Sequence, residues 1–160
     1  MISPVLVLGL GNELFTDEGL GVEAARRIEA LGLHGVEVAD GGTLGLDLVP
    51  TLADRQAILV LDAVVAEGAE PGTIVVLDDS AVRSERRLMM SAHQLGLSEA
   101  LAAADLWGRG PEVCTAVGMV PYSLDTGFGL SEPAEDHLDM LIGCALDYLE
   151  EWGVEVPAHA

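Results

Sequence analysis

The feature that most constrains the fold is an alternation of short apolar segments with segments of helical period. Five runs rich in Val, Leu and Ile are predicted strands; they cover residues 4–10, 35–39, 56–63, 73–77 and 112–120. Their continuous apolar character predicts strands that are buried on both faces. Apolar residues recur at helical spacing in 20–31, 44–54 and 97–104. The pattern predicts an α/β three-layer sandwich, a mainly parallel sheet with helices on both faces.

The clearest predicted helix is the last one. Ser131 is a suitable N-cap, Pro133 falls in the first turn, and Gly153 ends an apolar stripe. At 160 residues, half of them apolar, the chain can bury one core. We therefore expect a single domain over residues 1–153 and a flexible tail over 154–160.

The charge of the chain excludes several partners and reaction classes. Its 27 acidic and 7 basic residues give a formal net charge of −20, which repels phosphate backbones and anionic membranes. We expect no nucleic-acid or membrane partner, and a monomer. All basic residues are Arg, so neither a Schiff-base lysine nor a P-loop lysine is available. Without a CxxC pair, a basic leader or a long apolar run, the expected compartment is the cytoplasm.

The first loop has some features of a dinucleotide site. Gly9 and Gly11 follow a predicted strand, and Asp40 ends the next one. However, Leu14 stands where the third glycine belongs. Asp17 and Glu18 would also repel phosphate at the start of the following helix. The loop is better suited to a cation than to a diphosphate.

Three side chains are candidate metal ligands and catalytic groups at the carboxyl edge of the sheet. Glu18 lies in the loop after the first strand, Asp62 interrupts the apolar run of the third, and His93 lies where a helical pattern begins. A charge at the margin of a core needs a partner or a metal. Two carboxylates and an imidazole suit zinc or nickel. The alternatives are that Asp62 caps a turn and that His93 caps a helix.

Several strings, in this order and spacing, resemble the [NiFe]-hydrogenase maturation endopeptidases. The resemblance rests on residues 9–21 (GLGNELFTDEGLG), 40–45 (DGGTLG), 61–63 (LDA), 93–97 (HQLGL), 118–125 (GMVPYSLD) and 129–131 (GLS). It implies a twisted five-stranded sheet and a nickel-directed site at Glu18, Asp62 and His93. It further implies an endopeptidase that removes a C-terminal extension from the precursor of a hydrogenase large subunit. The nickel would then be supplied by the precursor, and the free enzyme would be metal-free.

The neighbouring strand end is a candidate substrate groove. We predict that Asp40, Gly41, Gly42 and Thr43 line it, since glycines let a peptide backbone approach closely. The alternative for this segment is a tight turn at positive φ. Alternatives for the whole chain are a peptidase with its own zinc, and a nickel- or nucleotide-binding module without chemistry. Asp125-Thr-Gly127 matches the aspartic-peptidase tripeptide but occurs only once.

Overall fold

The computed structural model describes residues 3–42, 45–84 and 92–158, without the side chains of 92–95. Thr43, predicted to line the groove, lies outside the described residues. The described chain contains five strands: β1 (Val5–Leu10), β2 (Val36–Gly42), β3 (Ala57–Ala63), β4 (Ile74–Leu77) and β5 (Val113–Met119). Each overlaps one of the predicted strands.

The helices lie between and after these strands. They are α1 (Leu20–Glu29), α2 (Val49–Leu52), α3 (Asp79–Arg83), α4 (Ala92–Leu106) and α5 (Glu132–Glu151). Two 3-10 turns precede the first two helices, Thr16–Gly19 before α1 and Leu46–Leu48 before α2. The predicted helix over 44–54 is therefore a 3-10 turn and one short helix. Within the described residues, no helix is both long and apolar enough to cross a membrane.

The strands form one sheet in the order β2-β1-β3-β5-β4. The first four are parallel, and β4 pairs antiparallel with β5. The prediction of a mainly parallel five-stranded sheet is confirmed. No helix separates β3 from β4, because a reversed strand needs no crossover helix to return it to the same end of the sheet.

The prediction that all strands are buried on both faces is wrong for the two edge strands. β1 and β3 are buried at every residue, whereas only Gly41 is buried in β2, and β4 alternates between buried and more exposed positions. An edge strand has only one neighbour, so its outer residues stay in contact with solvent. The apolar runs in the sequence did not distinguish edge from centre.

Each face of the sheet carries its own apolar core, because successive strand residues point to opposite faces. On one face, Leu59 and Leu61 pack with α1 and α5. On the other, Ile58 and Val60 pack with α2, α3 and α4. The alternation places Asp62 on this second face, near the carboxyl end of β3.

The last helix has the predicted cap. The Ser131 Oγ accepts a hydrogen bond from the Ala134 amide, Pro133 lies in the first turn, and Gly153 follows the helix at φ +89°. After the helix, Val154 is buried against the α1 and α5 core and Val156 packs beside it. The boundary of a flexible tail at residue 154 stays a prediction.

Candidate functional site

The carboxyl ends of β1, β2, β3 and β5 meet at one edge of the sheet, where open α/β sheets bind their ligands. Above the end of β1, the chain turns through Thr16–Gly19 into α1. This 3-10 turn packs against β3. The edge is therefore the place where the loop carrying Glu18 meets the strand carrying Asp62.

Backbone contacts without intervening side chains hold α1 at this edge. A Cβ on Gly21 would lie 2.0 Å from the Leu61 carbonyl oxygen and 2.5 Å from that of Leu10. A Cβ on Gly11 would lie 2.0 Å from the Glu18 carbonyl oxygen. The Glu18 backbone therefore packs directly against Gly11, which follows β1. The start of α1 packs against Leu61, the residue before Asp62.

The two predicted carboxylates differ in burial. Asp62 is 0% exposed, opposite Gly118 in the pairing of β3 with β5. Glu18 is partly exposed, and its amide donates a hydrogen bond to the Phe15 carbonyl at 3.1 Å. The edge therefore holds one carboxylate inside the protein and one that solvent reaches.

His93 lies in the first turn of α4, and its side chain is outside the described residues. Position 93 comes one helical turn before Leu97, which is buried against the same face of the sheet as Ile58. Among the side chains that the structure describes, no three His, Cys, Asp or Glu groups could hold a metal ion by themselves. The ligand set of Glu18, Asp62 and His93 remains a prediction.

The predicted groove residues occupy different environments. Asp40 is exposed, and its Oδ1 accepts a hydrogen bond of 2.8 Å from the amide of Gly42, which has φ +51°. Gly41 is buried at a register shift between β1 and β2, where a Cβ would lie 2.6 Å from Leu10. A tight turn with positive φ therefore exists here, and Gly41 packs inward.

A surface groove of about 370 Å³ nevertheless runs past this turn. It is lined by Gly11, Asn12, Glu13, Leu14, Val22, Asp40, Gly42 and Phe128. Phe128 is 81% exposed and Leu14 is 50% exposed. Glu13 also lines a second cavity, where Arg26 pairs with it. The hydrogen bond from Arg26 to Glu13 raises the pKa of Arg26. The groove combines apolar side chains with carboxylates.

The residue that sequence reasoning did not select is Asp17. Its carboxylate is 0% exposed and accepts hydrogen bonds from the amides of Tyr122, Ser123 and Ser131. The Ser131 hydroxyl also donates to it, at 2.7 Å. All these partners lie more than a hundred residues away in sequence, so no local pattern points to them.

Both cysteines are unsuited to nucleophilic catalysis. Burial raises the pKa of the Cys114 thiol to about 12, and burial also raises the pKa of the half-buried Cys144. Asp125-Thr-Gly127 lies in the loop before α5, where Gly127 forms a bridge with Phe15. The chemistry of this edge therefore rests on carboxylates and, by prediction, an imidazole.

Comparison with known proteins gives a consistent result across sequence and structure. The hydrogenase maturation protease (HycI) family model matches residues 22–148. The Hydrogenase 2 maturation protease of Escherichia coli K12 is 37% identical over 98% of this chain and 97% of its own. HupD, a hydrogenase expression/formation protein of Bradyrhizobium diazoefficiens, is 40% identical over 95% of this chain and 81% of its own.

Solved structures agree with this result. The hydrogenase maturating endopeptidase HybD from E. coli superimposes with a TM-score of 0.84 at 38% identity, covering 94% of each chain. The [NiFe] hydrogenase maturation protease HybD from Thermococcus kodakarensis gives a TM-score of 0.75 at 26% identity, covering 90% of this chain and 97% of that one. The resemblance predicted from the sequence motifs is confirmed. The chain belongs to the hydrogenase maturation protease family and is an endopeptidase.

Proposed function

We propose that the protein removes a C-terminal extension from the nickel-loaded precursor of a [NiFe]-hydrogenase large subunit. In this proposal, Glu18, Asp62 and His93 bind the nickel of the precursor. The observation that carries it is the wholly buried carboxylate of Asp62 at the carboxyl end of β3, beside the turn that bears Glu18. A carboxylate placed there lies at the edge where open α/β sheets bind their ligands.

The chemistry of the ligand set agrees with this role. Two carboxylate oxygens and one imidazole nitrogen suit a borderline divalent ion such as nickel, and three protein ligands leave positions open for groups of the precursor. The nickel belongs to the substrate. An enzyme that completes the coordination of that nickel gains affinity only after the metal has been inserted, so nickel insertion licenses cleavage.

Hydrolysis also needs a group that takes a proton from water. Glu18 is the carboxylate of the set that solvent reaches, and Asp62 is enclosed. We assign Glu18 to the side of the site that faces water and peptide, and Asp62 to the inner side. In an alternative assignment, Glu18 or Asp62 acts as the general base and is not a permanent nickel ligand.

The groove past Asp40 is our candidate for the path of the extended peptide. Asp40 is exposed, Gly42 leaves its backbone accessible, and Phe128 provides an apolar contact across the groove. Gly41 supports this surface from below, between Leu10 and Leu48. Thr43 belongs to the same proposal as the next residue along the chain.

Nickel-gated cleavage is tested with a hydrogenase large-subunit precursor, prepared nickel-loaded and nickel-free, by intact mass. We expect loss of a C-terminal peptide from the nickel-loaded sample alone.

Glu18→Gln, Asp62→Asn and His93→Gln should each slow cleavage by about 100-fold or more, because metal contacts supply several kcal/mol. Asp79→Asn is a matched control: this carboxylate accepts a hydrogen bond from the Cys114 amide at the other end of β5. It should retain the wild-type rate.

Other outcomes would favour the alternatives. Equal cleavage of both precursors would contradict nickel gating. Stoichiometric zinc in the purified enzyme, with cleavage of unrelated peptides, would indicate a self-contained metallopeptidase. Tight nickel binding without a precursor and without cleavage would indicate a carrier.

The groove has its own test. Phe128→Ser should raise KM for the precursor about tenfold. An exposed aromatic side chain that a bound peptide covers contributes roughly 1–2 kcal/mol to binding. Asp40→Asn should change KM or kcat if its carboxylate faces the peptide. Normal values for both variants would exclude this groove as the peptide path.

A further inference from the structure

We propose that Asp17 is a positioning residue that holds Glu18 in place for nickel recognition. The inference rests on the proposed function, since it concerns how the same site is built. Asp17 is 0% exposed, so its carboxylate reaches neither solvent nor a docked peptide. It acts on the site only through the residues that it holds.

The Asp17 carboxylate is saturated by donors from one segment, residues 122–131. Its Oδ1 accepts from the Ser131 amide at 2.7 Å. Its Oδ2 accepts from the amides of Tyr122 and Ser123, both at 3.0 Å, and from the Ser131 hydroxyl at 2.7 Å. Hydrogen bonds from neutral donors to a carboxylate are stronger than those between neutral groups. Four of them on one side chain fix its position.

The main chain on either side of Asp17 is bound to the same segment. The Asp17 amide donates to the Ser123 carbonyl at 3.1 Å, and the Thr16 amide donates to the Gly127 carbonyl at 2.9 Å. The Gly127 amide in turn donates to the Leu14 carbonyl at 2.8 Å. The turn that carries Glu18 and the loop before α5 therefore form one unit.

This unit fixes the residue next to Asp17, because Glu18 follows it directly in the same turn. Ser131 is also the N-cap of α5, a helix of 20 residues. The Asp17 carboxylate therefore lies near the positive end of the helix dipole, which favours a negative charge. The carboxylate thus anchors the Glu18 turn to an extended rigid element.

An aspartate is required here because every partner is a donor. In Asp17→Asn, the side-chain amide would turn N–H groups toward the Ser131 or Tyr122 amide, and a buried donor would lose its acceptor. The volume is unchanged, so the variant tests the hydrogen bonds and not the packing. Ser131→Ala is a milder second variant, which removes one donor and leaves the carboxylate.

The experiment compares the dissociation constants of nickel-loaded and nickel-free precursor for the wild type and for Asp17→Asn. We expect Asp17→Asn to bind the nickel-loaded precursor about 10- to 100-fold more weakly, the range found when a group that orients a metal ligand is removed. Binding of the nickel-free precursor should stay within about twofold, the usual scatter for independent sites. Ser131→Ala should show the same selective loss, but smaller.

A merely structural role gives a different result. Partial unfolding lowers the active fraction, so it would weaken binding of both precursors equally. Asp79→Asn is the matched control remote from the site. Any loss of binding that it causes should be equal for the nickel-loaded and the nickel-free precursor. In a Glu18→Gln background, Asp17→Asn should add no further loss, because it acts through Glu18.

Two contrary outcomes are distinguishable. A wild-type preference for nickel that survives in Asp17→Asn would overturn the assignment of Asp17 and leave the proposed function intact. A wild-type protein that binds both precursors equally would overturn nickel recognition itself, and the role of Asp17 with it.

Discussion

At the scale of the residue, Gly21 has very little freedom to change. A Cβ there would overlap the carbonyl oxygens of both Leu61 and Leu10, and main-chain atoms of central strands cannot move aside. Gly21→Ala should destabilise the fold by about 3 kcal/mol, the upper range for overpacking. Urea unfolding at equilibrium measures this change, and the displaced turn should also slow precursor cleavage.

Gly127→Ala is the matched control for this substitution. Its Cβ would meet nothing closer than the Thr16 hydroxyl at 3.7 Å, an ordinary contact. We expect its stability to stay within about 0.5 kcal/mol of the wild type. Equal stability losses in both variants would contradict the view that contact with the strand ends is what requires glycine at position 21.

The residues of the site differed in how far the sequence revealed them. Asp62 was detectable because it interrupts an apolar run, and the structure finds it buried at the end of β3. Asp17 was not, because its partners Tyr122 and Ser131 come from the far end of the chain. Local pattern identifies a charge in an apolar context, whereas a hydrogen-bond network needs the tertiary fold.

At the scale of the element, Arg55 connects β2 to the segments that precede β1 and β3. Its buried guanidinium donates to the Glu37 carboxylate at 2.6 Å and to the carbonyls of Ser3 and Thr51, both at 3.0 Å. The hydrogen bond from Arg55 holds the pKa of Glu37 below its ordinary value of 4.5. Ionised Glu37 therefore stabilises the attachment of the edge strand.

This pair predicts a pH-dependent difference in stability. Because the pKa of Glu37 is lower in the folded state, its contribution is present above about pH 4.5 and is lost as the pH falls through the folded-state pKa. Glu37→Gln should be less stable than the wild type by about 1 kcal/mol at pH 7, since the carboxylate is half exposed and screened. The difference should shrink towards pH 3.

Urea unfolding of both proteins at pH 7 and pH 3 measures this effect. Glu99→Gln, on the exposed face of α4, is the control and should follow the wild type within about 0.5 kcal/mol at both values. A constant difference between Glu37→Gln and the wild type across the pH range would mean that the ion pair is not its cause.

The elements themselves were largely predictable. Apolar runs located all five observed strands to within a few residues, and Ser131 and Gly153 located the ends of α5. The direction of β4 was not predictable, because an apolar run of four residues reads the same in a parallel or an antiparallel pair. The prediction of one helix over 44–54 was wrong in detail. Apolar residues keep a helical spacing through both the 3-10 turn and the four-residue helix, so the pattern does not separate them.

At the scale of the whole molecule, the excess of carboxylates acts on both binding and stability. The described arginines, at positions 26, 27, 55, 83 and 109, each pair with a carboxylate. Most of the 27 acidic residues therefore have no cationic counterpart among the seven arginines of the chain. Their mutual repulsion opposes the compact state.

Salt consequently has two opposite effects on stability, and their sizes decide the outcome. It weakens the ion pairs, of which the exposed ones contribute roughly 0–1 kcal/mol each. It also screens the repulsion that a net charge of −20 creates over the surface, with a screening length of about 10 Å at 0.1 M. The surplus charges outnumber the pairs, so relief of repulsion should dominate.

We therefore expect Tm to rise as NaCl is increased from about 10 mM to 0.5 M at pH 7. A gain of about 1 kcal/mol corresponds to roughly 2–4 °C for a domain of this size. The rise should shrink at pH 5, because the sequence pI is about 4.1 and the net charge falls as the carboxylates begin to titrate. Calorimetry at both pH values measures it. If Tm fell with NaCl at pH 7, the ion pairs of the arginines, and not the unpaired carboxylates, would dominate the electrostatics of the fold.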